Sequence, residues 1–205
     1  MKRFIFFLIA ATFSFNVIAQ QTGTFKDPRD GKNYKTVKIG NQTWIAENLA
    51  FKPASGNYWA YNNDNSNVAK YGYLYDQKTA KKVCPAGWHL PSYIEWTTLT
   101  DYCGGTDVGG SKMKSTSGWG DDNNATNQSA FSALPGGYRG NNEFDRIGTV
   151  GLWWTSTEND CGKEELLITS FSHDIDSGCL SGGFITLYDD SKGIGAGLSV
   201  RCIKD

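Results

Sequence analysis

The chain has 205 residues, 39% hydrophobic and 20% charged, with 20 Lys and Arg against 21 Asp and Glu and a formal net charge of −1. That slightly acidic balance argues against a nucleic-acid partner, which requires a basic face. With 14% aromatic residues and 24 glycines, the composition favours a turn-rich fold over a long helical bundle.

Residues 1–19 read as a signal peptide: Lys2 and Arg3 precede the apolar run "FIFFLIAATFSF", and Val17 and Ala19 put small residues before a cleavage point. The apolar run is short for a bilayer span, and Gln20 rather than Cys follows Ala19, which argues against a lipoprotein anchor. Cleavage there leaves residues 20–205 as one expected domain, with enough chain for its own core. Losing Lys2 and Arg3 takes the formal charge to −3. The expected location is secreted, periplasmic or cell-surface, with no membrane insertion after cleavage.

After a polar entry, alternation of Val37 and Ile39 with Thr36 and Lys38, the Gly40-Asn41 turn and the return Thr43-Trp44-Ile45 predict a β-hairpin. Residues 52–72, rich in Asn and Tyr, read as a surface loop. "DQKTAKKVC" predicts a short helix capped by Asp76, with Ala80, Val83 and Cys84 inward. Ser92 and Glu95 match a capping box, and Trp96, Leu99 and Cys103 share one face of the helix that follows, which Gly104-Gly105 ends. Residues 110–144 read as short strands mixed with polar loops. "TVGLWWTSTE", "ELLITSFSH", "GFITLYDD" and "GLSVRCIKD" read as four strands.

Five cysteines in an exported chain point to disulfides with a thiol left over. Cys84 and Cys103 flank a helix about 16 Å long, against the ~6 Å that a bridge needs, so Cys103 is expected free and buried on the apolar face. Of the remaining four, Cys84 with Cys202 would close on the order of 120 residues and be worth about 4–5 kcal/mol in the chain-entropy model. Cys161 with Cys179 would close about 19 residues, worth about 3 kcal/mol.

His89 and His173 sit in no metal-binding spacing, and His89, before Leu-Pro and a helix start, reads as scaffold. Asp121, Asp122, Asn123 and Asn124 carry oxygen ligands suited to calcium, but lack the spacing and glycine of an EF-hand loop. A second polar group is better placed. Glu158, Asn159 and Asp160 follow one predicted strand and His173, Asp174 and Asp176 the next, with Trp153, Trp154 and Tyr188 as aromatic neighbours. Convergence of these loops would suit recognition of sugars or polar peptides. No P-loop, dinucleotide fingerprint or G-x-S-x-G element occurs, and nothing fixes a separation for a glycosidase carboxylate pair. The chain is therefore expected not to be an enzyme.

In order, "DGKNYKTVKIGNQTWIAENL", "CPAGWHLPSYIEWTTL", "FSALPGGYR", "WWTSTE" and "GLSVRC" resemble the Fibrobacter succinogenes major paralogous domain over about residues 25–205. That domain, found in exported proteins of Fibrobacter and Bacteroidetes, is similar to the C-type-lectin-like fold. The same broad class holds formylglycine-generating enzymes and the variable receptor proteins of diversity-generating retroelements. The resemblance implies an α+β domain, two helices packed on twisted antiparallel strands, with the terminal strands paired. It also implies the bridges Cys84–Cys202 and Cys161–Cys179. The E-P-N or Q-P-D and W-N-D signatures of sugar-binding lectins are absent, as is the closely spaced Cys pair of the formylglycine-generating enzymes. "WWTSTE" stands where retroelement variable proteins begin their ligand face. The expected function is a non-catalytic binding or cell-surface module without a cofactor, recognising a polysaccharide or surface protein at Glu158, Asn159, Asp160, His173, Asp174, Asp176 and Tyr188. The alternatives are a structural envelope or matrix protein and, third, an enzyme of the formylglycine-generating type.

Overall fold

The structure is a computed structural model that describes residues 20–120, 124–158, 166–172 and 195–205. Residues 1–19 of the expected leader, Asp121–Asn123, both Cys161 and Cys179, and the expected strand "GFITLYDD" lie outside them. Two antiparallel-rich sheets and a few short helices make a mixed α+β architecture.

The first sheet is built on the expected hairpin. Strand β2 (Asn33–Ile39) turns at Gly40-Asn41 into β3 (Gln42–Ile45), with Val37 opposite Trp44. The polar entry is itself a strand, β1 (Gln21–Lys26), paired antiparallel to β2 with mostly exposed side chains. Its one large apolar group, Phe25, packs on Trp88 at 5.1 Å between ring centroids, so edge pairing and that contact outweigh a polar sequence.

Residues 52–72 hold more than the loop expected of them: β4 (Tyr58–Trp59), two 3₁₀ turns and the one-turn helix α1 (Val68–Tyr71). Strand β5 (Leu74–Tyr75) pairs with β4. Helix α2 (Gln77–Val83) follows, its Asp76 cap accepting from Thr79 N at 2.7 Å. After β6 (Trp88–His89), helix α3 (Tyr93–Tyr102) opens with the expected capping box. Ser92 N donates to Glu95 Oε2 at 2.7 Å, and Glu95 N donates back to Ser92 Oγ at 3.3 Å.

Helix α4 (Thr106–Met113) replaces strands and loops in the sequence-based expectation, so the helices exceed the two implied by the resemblance. Its two adjacent glycines disfavour a helix intrinsically. One of them explains it: a Cβ on Gly109 would stand 3.2 Å from Thr100 O, so glycine permits α4 to close on the end of α3 and bury Met113.

The second sheet runs β4-β5-β11-β9-β7-β8, with β7 (Gly136–Gly140), β8 (Glu143–Ile147), β9 (Val150–Glu158) and β11 (Leu198–Ser199); β10 (Leu166–Ser172) pairs with β9. Alternation along β9 sends Trp153 and Trp154 to opposite faces. Trp153 enters a core with Trp44, Trp96, Phe131 and Cys103, and Trp154 a core with Tyr34, Tyr75, Val83 and Cys202. Both indoles are buried and both N–H groups are bonded, Trp153 to Asn48 Oδ1 and Trp154 to Tyr75 O. These tryptophans are therefore core, not the aromatic platform expected beside the late loops.

The last segment, expected as one strand, divides in two. Ser199 pairs with Trp153 of the second sheet, and Ile203 of β12 (Ile203–Lys204) pairs with Trp44 and His89 of the first. All of residues 198–203 are buried, so alternation could not mark the switch. Two anchors hold the crossing. Cys202 is bridged to Cys84, as expected. Arg201 donates to Asn48 Oδ1, Ile45 O, Phe131 O and Ser132 O at 2.7–3.3 Å, with Phe131 under its guanidinium. Among the described residues Cys103 is the free cysteine, buried as expected.

Candidate functional site

Of the late-loop residues, Glu158 ends β9, while Asn159, Asp160, His173, Asp174, Asp176 and Tyr188 lie outside the described residues. The strand register still constrains where they start. Leu166 pairs with Glu158 and Ser172 with Val150, so the two polar segments leave the hairpin from opposite ends, roughly 25 Å apart at ~3.3 Å per residue. Adjacent strands alone thus do not bring them together. The end from which Ser172 leaves lies by β7, where Gly137 pairs with Gly151. The other end leans on α3, where Tyr93 N donates to Thr157 Oγ1 at 2.9 Å.

Beside β7 the structure assembles a polar and aromatic shelf that the sequence reading missed. The hairpin β7–β8 turns on Asn141 and Asn142, both at positive φ, a conformation asparagine tolerates well. This sets Arg139 next to Asn142, and Arg139 Nη2 donates to Asn142 Oδ1 at 2.7 Å. Arg139 Nη1 donates to Gly195 O at 3.0 Å, and Arg139 exchanges backbone hydrogen bonds with Gly197. Trp59 crosses from β4 to lie 4.3 Å under the guanidinium, and Phe144 lies 5.8 Å away. Tyr61 packs on Phe144 at 5.4 Å. The floor is Gly197, where a Cβ would stand 2.9 Å from the Trp59 ring. Trp59, Arg139 and Phe144 are half-buried. Burial pulls the Arg139 pKa below its ordinary value, and no carboxylate among the described residues opposes it. The sequence held two signals for this shelf: a Trp in an Asn- and Tyr-rich stretch, and an Arg two residues before an Asn-Asn turn.

Other candidates offer less. A cleft of about 450 Å³ lies between the chain at 51–57 and α2. Three of its polar residues pair with one another: Asn57 Nδ2 donates to Asp76 Oδ2, and Asn57 N donates to Thr79 Oγ1. His89 is scaffold, as expected, and ties three elements. Its Nδ1 lies 2.7 Å from Asp205 Oδ1 and its Nε2 2.8 Å from Glu95 Oε1. Burial pulls its pKa down, but the two carboxylates outweigh burial and hold it above the ordinary value. The Cys103 thiol is pushed by burial up to about 11, far from the thiolate that a nucleophile requires. Of the calcium candidates only Asn124 is described, and it is exposed. Among the described residues no three His, Cys, Asp or Glu side chains cluster as a metal site, and no helix is long and apolar enough to cross a membrane. The disulfide fits an oxidising, extracytoplasmic environment.

A family model described as the Fibrobacter succinogenes major domain matches residues 37–204. That span takes in the hairpin from Val37 onward, both anchors of the last segment and the whole shelf. No curated protein and no solved structure gives a significant match.

Proposed function

The chain belongs to the Fibrobacter succinogenes major domain family, and we propose that it is an exported, non-catalytic binding module of C-type-lectin-like fold that recognises a polysaccharide or a surface protein. The observation that carries this reading is the Trp59–Arg139–Asn142 shelf, where aromatic surface, a cation and an amide meet half-exposed. Such mixed surfaces suit ligands with an apolar body and polar edges. The two-sheet architecture and the Cys84–Cys202 tie support the lectin-like fold, and the leader-like sequence of residues 1–19 together with the disulfide supports export.

The chain between β10 and Gly195 carries His173, Asp174, Asp176 and Tyr188, and it rejoins the described fold at the shelf. Glu158, Asn159, Asp160, His173, Asp174, Asp176 and Tyr188 are proposed as further ligand contacts of the module. Binding is proposed to need no cofactor.

The test is binding of oxidised residues 20–205 to immobilised polysaccharides and cell-surface proteins, with and without EDTA. Saturable binding that Trp59→Ala weakens supports the reading. Binding abolished by EDTA would return weight to calcium at Asp121–Asn124, and binding to nothing would leave a structural envelope role.

A further inference from the structure

We propose that Arg139 is the recognition point for the carboxylate of an acidic, uronic-acid-bearing polysaccharide. This rests on the binding-module reading and names the ligand class for the same shelf.

The described arginines differ in how completely the protein pairs them. Arg29 is paired with Asp27 at 2.6 Å, Arg146 with Asp145 at 3.7 Å, and Arg201 places four N–H groups on protein oxygens. Arg139 is different. A guanidinium has five N–H donors, and here one on each terminal nitrogen is used, on Gly195 O and Asn142 Oδ1. Its Nε is buried without a partner, and each terminal nitrogen keeps a second hydrogen. A half-buried cation with no counter-charge among the described residues is under-solvated, so an incoming anion gains more there than at the open surface.

The side chain is also held in place. Two hydrogen bonds and the Trp59 ring fix the plane of the guanidinium, so little rotamer freedom remains to be lost on binding. A planar fork matches a planar carboxylate better than it matches a diffuse polyanion. The surroundings then favour a sugar over a bare ion. Phe144 and the half-exposed rim of Trp59 supply apolar surface, and the Asn142 amide supplies donors for hydroxyl groups.

The experiment is calorimetric titration of the oxidised chain at physiological ionic strength with polygalacturonate, its methyl-esterified form, dextran sulfate and poly-glutamate. Polygalacturonate is expected to bind saturably, and masking its carboxylates as esters should weaken it about tenfold or more. Arg139→Gln should cause a similar loss and Arg139→Lys an intermediate one, because Lys keeps the charge but not the fork. Arg146→Gln, on the same hairpin, should change affinity less than about twofold. If Arg139→Gln fails to give the native near-ultraviolet circular dichroism, Asn142→Gly removes one anchor at a position where positive φ suits glycine, and should weaken binding several-fold. Equal binding of the ester, or full affinity in the Arg139 variants, overturns the proposal. So does equal affinity for dextran sulfate or poly-glutamate, which would mean undirected charge attraction. If acidic polymers fail while another polysaccharide or a surface protein binds, only this ligand class falls. If nothing binds, the binding-module reading falls with it.

Discussion

Arg201 and Arg139 both lie over aromatic rings, at 4.5 Å from Phe131 and 4.3 Å from Trp59, yet the protein completes only the first. Arg201 is fully buried and binds oxygens of β3, of Asn48 and of the chain at 131–132, where Ala130 and Ser132 hold positive φ. Burial lowers its pKa to about 9, with Glu47 opposing weakly, and four of its N–H groups find acceptors. It is a staple. Arg139 sits at the rim with three donors unused among the described residues. The same side chain serves the fold where the backbone surrounds it with carbonyls and faces outward where the backbone supplies too few.

Breaking the staple should have the largest effect. Arg201→Leu leaves buried oxygens at Ile45, Phe131 and Ser132 without donors and should cost about 4 kcal/mol or more, measured by urea unfolding. Arg139→Leu should stay within about 1 kcal/mol in the same measurement. Parity between the two would erase the contrast.

Removing the adjacent bridge comes next. Cys84→Ser with Cys202→Ser should cost about 2–4 kcal/mol, and the variant should still fold if Arg201 holds the sheet switch by itself. Gly197→Ala sharpens the other side of the comparison. Its Cβ would press on Trp59 at 2.9 Å and on Arg139 Cβ at 3.2 Å, so about 1–2 kcal/mol of stability should go, with a change in Trp fluorescence.

The smallest effect concerns pH and neither arginine. Held above its ordinary 6.5 when folded, His89 contributes fully below that value and loses its share as pH rises through the folded pKa. Burial raises Glu95, but hydrogen bonds from Ser92 and His89 hold it below its ordinary 4.5. Its share is present above 4.5 and is lost as pH falls. Melting temperatures should therefore peak between these values, and His89→Gln should flatten the alkaline side by about 0.5 kcal/mol, a small figure because the side chain is 42% exposed.

Legibility followed the range of the interactions. The Gly40-Asn41 hairpin, the Asp76 cap and the Ser92–Glu95 box are formed by residues a few positions apart, and each was readable. Helix α4 was not, because its glycines oppose a helix locally and are justified only by the approach of Gly109 to Thr100. Trp153 and Trp154 suggested a binding platform, but which face of β9 is buried depends on what covers each side, and both sides are covered. The shelf escaped notice because Trp59, Arg139 and Gly197 are far apart in the chain.

The sequence by itself determined the local turns and caps, the free Cys103 on its helix face and, through five ordered blocks, the family. Those features rest on short-range hydrogen bonds and on periodicity. Tertiary structure decided the division of the last segment between two sheets, the burial of both strand tryptophans and the different fates of two arginines. Each of these depends on which distant backbone oxygens and rings come within contact distance, and no local pattern encodes that.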